Sequence, residues 1–173
     1  QMNIPYRGFL YAGLMLTEDG PQVLEFNCRL GDPEAQAILM RLKSDLVPLI
    51  QKALTGELHE TSAEWDHRTA ITVVLSSQGY PGEYQTGFPI YGLNDLTPKE
   101  NYQVFHAGTL QNNQQFFTAG GRVLSPTLLD KDIETAQAHI YELIHDITWD
   151  GMYFRTDIGD KAKAQPTSKR FAL

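Results

Sequence analysis

Residues 23–29 carry polar side chains that alternate with apolar ones. Successive side chains of a strand point to opposite faces, so Glu25, Asn27 and Arg29 share one face. A carboxylate and an amide oxygen two residues apart suit Mg²⁺, which takes few protein oxygens and completes its shell with water and phosphate oxygens. The guanidinium can hold a phosphate or a carboxylate. The pattern indicates a metal and phosphate site, and it leaves open a half-exposed strand with a charged outer face.

A helix start follows this strand directly. Gly31 and Asp32 precede Pro33, and aspartate at the N-cap with proline at the first helical position favours a helix, here over residues 33–42. The unpaired N–H groups at its start would point back towards the strand end and attract anions. Asp32 is predicted to be the N-cap, a role that does not exclude substrate contact.

The strand itself belongs to a predicted β-hairpin. Residues 8–17 are apolar, a turn signal follows, and residues 22–29 make the second strand. The hairpin face opposite the polar one carries Leu24, Phe26 and Cys28, which suits a core.

A second helix and a linker are predicted next. Ser44 can cap the helix, whose apolar residues recur at helical spacing, and Gly56 can end it. Residues 57–68 are polar and predict a linker.

The residue pattern in the remainder of the chain predicts a β-rich module. A helix is predicted over residues 133–147 from its apolar spacing, and Asn112 with Asn113 suits a turn. The predicted strands cover residues 69–77, 102–106, 115–119, 121–124 and 153–158.

Composition narrows the function classes. The 173 residues carry a formal net charge of −7 and only 14 scattered Lys and Arg residues. This disfavours nucleic acid as a partner, because nucleic-acid binding needs clustered Lys and Arg to displace counterions from the phosphates. No apolar run approaches the roughly 18 residues of a membrane span, and no signal peptide is recognisable. One cysteine, Cys28, excludes an internal disulfide and a Cys-rich zinc site. These features predict a cytoplasmic protein without membrane partners.

Read together, the motifs resemble the phosphoribosylamine–glycine ligase family (glycinamide ribonucleotide synthetases) of the ATP-grasp superfamily. Many ordered matches over most of the chain are more specific than any single motif. The matching stretches are residues 11–15, 25–36, 44–46, 79–81 with Tyr84, 106–109, 120–124 and 153–159.

The resemblance implies an ATP-dependent ligase that joins glycine to 5-phosphoribosylamine through an acyl phosphate, in purine biosynthesis. It implies that Glu25 and Asn27 hold the Mg²⁺ or Mn²⁺ that bridges the phosphates of ATP, the co-substrate. Arg29 would act on the γ-phosphate or the acyl phosphate, Gly31 would let the backbone approach substrate, and Asp32 would bind the glycine ammonium or the amine nucleophile.

Later in the chain the resemblance suggests one more substrate residue. Arg122 follows two glycines that permit close backbone approach and is expected to bind the ribose 5-phosphate. Its alternative is a surface arginine paired with a carboxylate. Arg155 and Asp157 are predicted to pair structurally. Where members of the family carry a lysine, this sequence has Thr86; if that lysine contacts substrate phosphate, this chain lacks one contact.

The implied architecture is α+β. Residues 1–60 would be the last segment of the ATP-grasp core, a β-hairpin plus two helices, and residues 61–173 a mostly β C-terminal domain with one long helix. The chain begins without Met and enters a strand pattern almost at once. It is therefore expected to be part of a longer polypeptide, to need the missing N-terminal domains, and to be inactive alone. The alternatives are another ATP-grasp ligase or carboxylase and a non-enzymatic β-rich binding domain.

Overall fold

The computed structural model describes residues 4–97 and 99–163, and the chain divides between Asp66 and His67 into two compact units. Among the described residues no helix is both long and apolar enough to cross a membrane. The first unit contains strands β1 (Tyr11–Thr17) and β2 (Gly20–Asn27), helices α1 (Glu34–Arg41) and α2 (Leu46–Thr55), and a 3₁₀ turn (Leu58–Glu60).

The predicted hairpin is present, but its supposed core face is exposed. β1 and β2 pair antiparallel, and Leu24 is an extra residue where the register shifts between Gly13 and Leu14. The side chains of Leu24 and Phe26 are 63% and 62% exposed, and Cys28 is exposed as well. The prediction that these residues face a core is therefore wrong for the described chain, because a two-stranded hairpin has no layer of its own to cover either face.

Helix α1 begins one residue later than the sequence indicates. Pro33 occupies the N-cap position and gives no side-chain cap, while the Ala35 N–H donates to the Gly31 carbonyl at 2.9 Å. The prediction of Asp32 as the N-cap is wrong, since this backbone bond closes the turn after it.

The start of α2 also differs by one residue. Asp45, and not Ser44, caps the helix by accepting a hydrogen bond from the Val47 N–H at 2.9 Å. The Ser44 hydroxyl instead accepts from the Glu64 N–H at 2.7 Å. The predicted stop is confirmed, because Gly56 is the C-cap with φ 84°.

Most of the predicted linker belongs to the first unit, because its residues form backbone and side-chain contacts with α1 and the residue after it. Leu42 forms a β-bridge with Trp65, and the guanidinium of Arg41 donates two hydrogen bonds to the Asp66 carbonyl, at 3.0 and 2.9 Å. The first unit therefore extends to Asp66, its last residue.

The strands of the second unit are β3 (Thr69–Thr72), β4 (Leu75–Ser77), β5 (Pro89–Ile90), β6 (Tyr102–His106), β7 (Thr109–Asn112), β8 (Gln115–Thr118), β9 (Arg122–Asp130) and β10 (Met152–Tyr153), and its helices are α3 (Ile133–His145) and α4 (Asp160–Lys163), with a 3₁₀ turn at Leu93–Asp95. In the part that the structure describes, these strands form two antiparallel sheets. One has the order β10-β4-β9-β3 with β6 also paired to β9, and the other has the order β5-β8-β7.

Several strand predictions need correction. The single strand expected over residues 69–77 is two short strands, and the last strand stops at Tyr153 instead of reaching residue 158. β5 and β7 have no counterpart among the predicted strands, and the strand predicted over residues 121–124 extends to Asp130 as β9. The predicted turn at Asn112 and Asn113 is confirmed, because Asn113 has φ 53° between β7 and β8. Asparagine tolerates this left-handed conformation better than most residues.

The core of the second unit lies between α3 and the β9 sheet. Ala136, Ile140 and Ile144 recur at helical spacing on α3 and are completely buried. They pack in one cluster with apolar residues of the sheet, among them Leu75 and Leu124. Full burial of a leucine or isoleucine contributes about 1.5–3 kcal/mol. The long helix predicted from this periodicity is therefore confirmed and holds the sheet in place.

Asp130 and His139 form a hydrogen-bonded pair where β9 leads into α3. This pair predicts that the free energy of unfolding decreases in acid. Burial would raise the pKa of Asp130, but its hydrogen bonds from His139 and from the Lys131 N–H outweigh burial and lower that pKa. A carboxyl group whose pKa is lower in the folded than in the unfolded state stabilises the fold at pH values above about 3.9, the ordinary pKa of aspartate. This stabilisation is lost as the pH falls through the lower pKa of the folded state.

We therefore expect Asp130→Asn to reduce the free energy of unfolding at pH 7 by at most about 1 kcal/mol, because the pair is partly exposed. Urea titrations at pH 7 and pH 3 should show this difference shrinking in acid. Asp150→Asn, at an exposed aspartate, is the matched control. A deficit in Asp130→Asn that persists undiminished at pH 3 would contradict the linkage.

Candidate functional site

Two of the three polar residues predicted on the second hairpin strand, Glu25 and Asn27, share a face. The strand covers Gly20–Asn27 and not residues 22–29, so Arg29 lies beyond its end. Glu25 lies opposite Gly13 and Asn27 opposite Tyr11, in a regular antiparallel register beyond the bulge. Directly opposite residues in such a pair project to the same side. A Cβ placed on Gly13 would lie 3.0 Å from Glu25 Cγ, so the glutamate side chain extends across the space that this glycine leaves. The structure thus brings a carboxylate and an amide together on one strand face.

These two residues meet the minimum chemistry for a magnesium site. Glu25 is exposed and Asn27 half-buried, so both oxygens can be reached from solvent. Among the described residues no group of three or more His, Cys, Asp or Glu side chains is placed to hold a metal ion. A site made of Glu25 and Asn27 would take its remaining ligands from water and phosphate oxygens, as Mg²⁺ commonly does.

Arg29, Gly31 and Asp32 follow at the end of the strand. Arg29 is exposed, and its Nη1 donates to the Leu30 carbonyl at 2.9 Å. Gly31 is buried, and a Cβ there would overlap the carboxylate of Glu34. Asp32 is exposed in the turn before α1. These three residues therefore lie between the end of β2 and the start of α1.

Tyr11 and Glu34 belong to this cluster, although sequence reasoning gave them no role. The Tyr11 hydroxyl donates to Glu34 Oε1 at 3.2 Å. The pKa of Tyr11 is raised first by this hydrogen bond and by the negative charge of Glu34, and further by Glu25, while Arg29 lowers it. The phenol thus lies within the field of three charged side chains. The cross-strand position of Tyr11 opposite Asn27 was the available signal, but it depends on the hairpin register.

Arg122 lies in the second unit, at the start of β9. Its Nε donates to the Tyr80 hydroxyl at 3.0 Å, and its guanidinium carbon is 5.9 Å from the centre of the Tyr80 ring. A Cβ on Gly121 would overlap this ring, so the glycine lets Tyr80 pack against the strand beside Arg122. The arginine is held in place by an aromatic side chain from a distant loop.

A polar groove adjoins this arginine–tyrosine pair. Tyr84 contacts Tyr80 edge-to-face, with 6.0 Å between the ring centres. Tyr84 also lines a groove of about 560 Å³ together with Ser77, Gln78 and Asp150. Hydroxyl, amide and carboxylate groups on its wall suit a polar ligand.

Arg155 and Asp157 form the structural pair expected from the sequence. The guanidinium of Arg155 donates to both oxygens of Asp157, at 2.9 and 2.7 Å. Both side chains are more than half exposed, so the contribution of this pair to stability is small. Its donors face a neighbouring carboxylate rather than an open groove.

Comparison with protein-family models gives two matches. Residues 70–161 match the model described as phosphoribosylglycinamide synthetase, C domain. Residues 1–35 match phosphoribosylglycinamide synthetase, ATP-grasp (A) domain. The first match alone covers more than half of the chain.

Individual relatives agree with these models. A phosphoribosylamine–glycine ligase of Escherichia coli O157:H7 is 51% identical over 159 residues, 91% of this chain and 37% of the relative. One from Rhodopirellula baltica is 48% identical over 159 residues, 91% of this chain and 36% of the relative. The crystal structure of phosphoribosylamine–glycine ligase from Thermotoga maritima matches with a TM-score of 0.72 and 34% identity, over 88% of this chain and 37% of that one. The chain spans little more than a third of the length of these relatives.

Proposed function

Because this chain belongs to the phosphoribosylglycinamide synthetase family, we propose that it is part of an ATP-dependent ligase that joins glycine to 5-phosphoribosylamine. The glycine carboxylate attacks the γ-phosphate of ATP, which releases ADP and leaves an acyl phosphate. The amine then attacks the acyl carbon and expels phosphate. The observation that carries the proposal is the pair Glu25 and Asn27 on one open strand face.

Glu25 and Asn27 would hold Mg²⁺, or Mn²⁺ in its place. One carboxylate and one amide oxygen fit a hard cation that is bound together with substrate phosphates. The bound cation would neutralise phosphate charge as the γ-phosphoryl group transfers. The protein's own part is to hold these two oxygens side by side, and the strand pairing with β1 supports that role.

Three further residues would bind the reacting groups. Arg29, exposed beyond the strand end, would contact the γ-phosphate or the acyl phosphate through its planar donors. Gly31 would let the backbone approach the substrate. Asp32 would receive the ammonium of glycine or the amine nucleophile, since a carboxylate in the turn can accept hydrogen bonds from either.

In the second unit, Arg122 would bind the 5-phosphate of phosphoribosylamine. Its contact with Tyr80 fixes the guanidinium at the start of β9, and the adjacent polar groove offers room for a ribose. Bidentate hydrogen bonds from arginine suit a phosphate group.

We further propose that residues 1–60 are the last segment of the ATP-grasp domain and residues 61–173 the C-terminal domain of the ligase. The remaining domains would come from the same polypeptide, in the cytoplasm, and the 173 residues alone would be inactive. The proposal that further domains belong to the same polypeptide agrees with the length of the relatives, because the chain covers only 36–39% of each.

The test begins with the natural reading frame, which should encode an ATP-grasp pattern upstream of residue 1. The full-length protein is then assayed for ADP release that requires both glycine and phosphoribosylamine, beside the 173-residue chain as the inactive comparison. ADP release with a different carboxylate or amine would favour another ATP-grasp ligase. A reading frame that begins at residue 1 would favour a non-enzymatic β-rich binding domain.

A further inference from the structure

Tyr11 occupies the position directly across the hairpin from Asn27, one of the two proposed metal ligands. Opposite residues in an antiparallel pair have Cβ atoms about 4.5–5.5 Å apart and share a face. Tyr11 is half-buried, whereas Glu25 on the same face is exposed. The phenol is therefore the more enclosed neighbour of the metal-facing side chains.

Two glycines make the space that the Tyr11 ring fills. A Cβ on Gly13 would lie 3.5 Å from Tyr11 Cε1, and a Cβ on Gly31 would lie 3.1 Å from Tyr11 Cε2. The ring thus passes between the hairpin strand and the turn that leads into α1. Its hydroxyl reaches the first residue of that helix, Glu34.

The carboxylate of Glu34 is held at two points. Oε1 accepts from the Tyr11 hydroxyl at 3.2 Å. Its Cδ lies only 2.8 Å from where a Cβ of Gly31 would be, so the carboxylate rests against the bare backbone of this glycine. Glu34 is otherwise exposed, and the partner that fixes it is a phenol and not a cation.

The charge of Arg29 acts at the same place. Arg29 Nη1 donates to the Leu30 carbonyl at 2.9 Å, and the Glu34 carboxylate lies against Gly31, the next residue. The guanidinium and the carboxylate are therefore both beside the peptide unit that joins residues 30 and 31. In agreement, Glu34 raises the pKa of the Tyr11 hydroxyl and Arg29 lowers it. A long, exposed glutamate released from its phenol would find Arg29 as a nearby cation. An Arg29–Glu34 ion pair would occupy the guanidinium donors that a phosphate needs.

We propose that Tyr11 is a positioning residue of the ligase: by holding the Glu34 carboxylate against Gly31, it keeps Glu34 from pairing with Arg29 and leaves Arg29 open to substrate phosphate. This inference rests on the proposed function of Arg29. It assigns no chemical step to Tyr11 or Glu34, and it predicts that removing the phenol hydroxyl harms phosphate binding only while residue 34 is negative.

The experiment uses the full-length protein and compares Tyr11→Phe, Glu34→Gln and the double variant. We expect Tyr11→Phe to weaken binding of Mg-ATP and to lower kcat/KM for ATP by about tenfold, the scale of a charge-assisted hydrogen bond. Adding Glu34→Gln should restore both values to within about threefold of wild type, because the competing charge is gone. Titration calorimetry and steady-state kinetics supply the two readouts.

Glu34→Asp gives a second route that leaves the ring untouched. The shorter side chain keeps its charge but no longer reaches the Tyr11 hydroxyl. This variant should therefore also bind Mg-ATP more weakly than wild type and have a lower kcat/KM for ATP. Tyr91→Phe, at an exposed tyrosine of the second unit, is the matched control and should bind Mg-ATP as wild type does.

Two results would overturn the inference: full Mg-ATP affinity in Tyr11→Phe and Glu34→Asp, or a double variant as impaired as Tyr11→Phe. The second result would mean that the hydroxyl supports the fold and does not restrain a charge. Failure of the proposed function itself looks different, because the wild-type full-length protein would then show no ligation at all.

Discussion

Glu25→Ala abolishes ligation by the full-length protein while the fold persists: this is the largest effect we expect. Charge neutralisation by a bound metal ion is worth several kcal/mol in phosphoryl transfer, and about 1.4 kcal/mol corresponds to a tenfold change in rate. We therefore expect kcat/KM to fall by at least about a thousandfold. Stability should change by no more than about 0.5 kcal/mol, since Glu25 is an exposed strand residue.

Steady-state ADP release, Mn²⁺ binding in the presence of ATP, and thermal unfolding test this expectation together. Glu18→Ala removes an exposed glutamate from the turn of the same hairpin and should retain full activity. Asn27→Asp keeps two oxygen ligands and should retain more activity than Glu25→Ala. Turnover at the wild-type rate in Glu25→Ala would refute the metal role of this strand face.

Arg122→Ala should impair one substrate and spare the other two. Loss of charge-assisted hydrogen bonds to a phosphate costs about 1.5–3 kcal/mol. We expect the KM for phosphoribosylamine to rise by roughly tenfold to a hundredfold, with the KM values for glycine and ATP changed by less than about threefold. Arg122→Lys should be intermediate, because it keeps the charge but loses the planar fork.

The control for this substitution is Arg155→Ala, which removes another arginine of the same unit, one already bound to Asp157. It should leave all three KM values near wild type. An Arg122→Ala enzyme with an unchanged KM for phosphoribosylamine would place the phosphate elsewhere. A comparable rise in the KM for ATP would instead indicate that Arg122 contacts the nucleotide.

The proposed site shows which features local pattern could predict. Alternation along β2 placed Glu25 and Asn27 on one face, and the strand pairing confirms that geometry. The same alternation assigned Leu24 and Phe26 to a core, yet both are more than half exposed. A period of two tells which side chains share a face, but it carries no information on what covers that face.

Helix starts show the same limit at single-residue scale. Ser44, Asp45 and Asp32 are all residue types that cap helices, so composition alone could not choose among them. The choice followed from longer contacts: the Ser44 hydroxyl binds the Glu64 N–H, which leaves Asp45 to cap α2. Such partners lie some twenty residues away and leave no local signature.

The sequence by itself determined the periodic features of this protein: the hairpin, the spacing of α3, and the strand face that Glu25 and Asn27 share. All of these depend on neighbours within a few residues, where backbone geometry dictates direction. Only the tertiary structure decided that the Tyr11 hydroxyl donates to Glu34 and that Arg122 donates to the Tyr80 hydroxyl. The two residues of the first contact are 23 positions apart in the sequence, and those of the second are 42 positions apart. A local sequence pattern does not specify which distant side chain will fill the space that a glycine leaves.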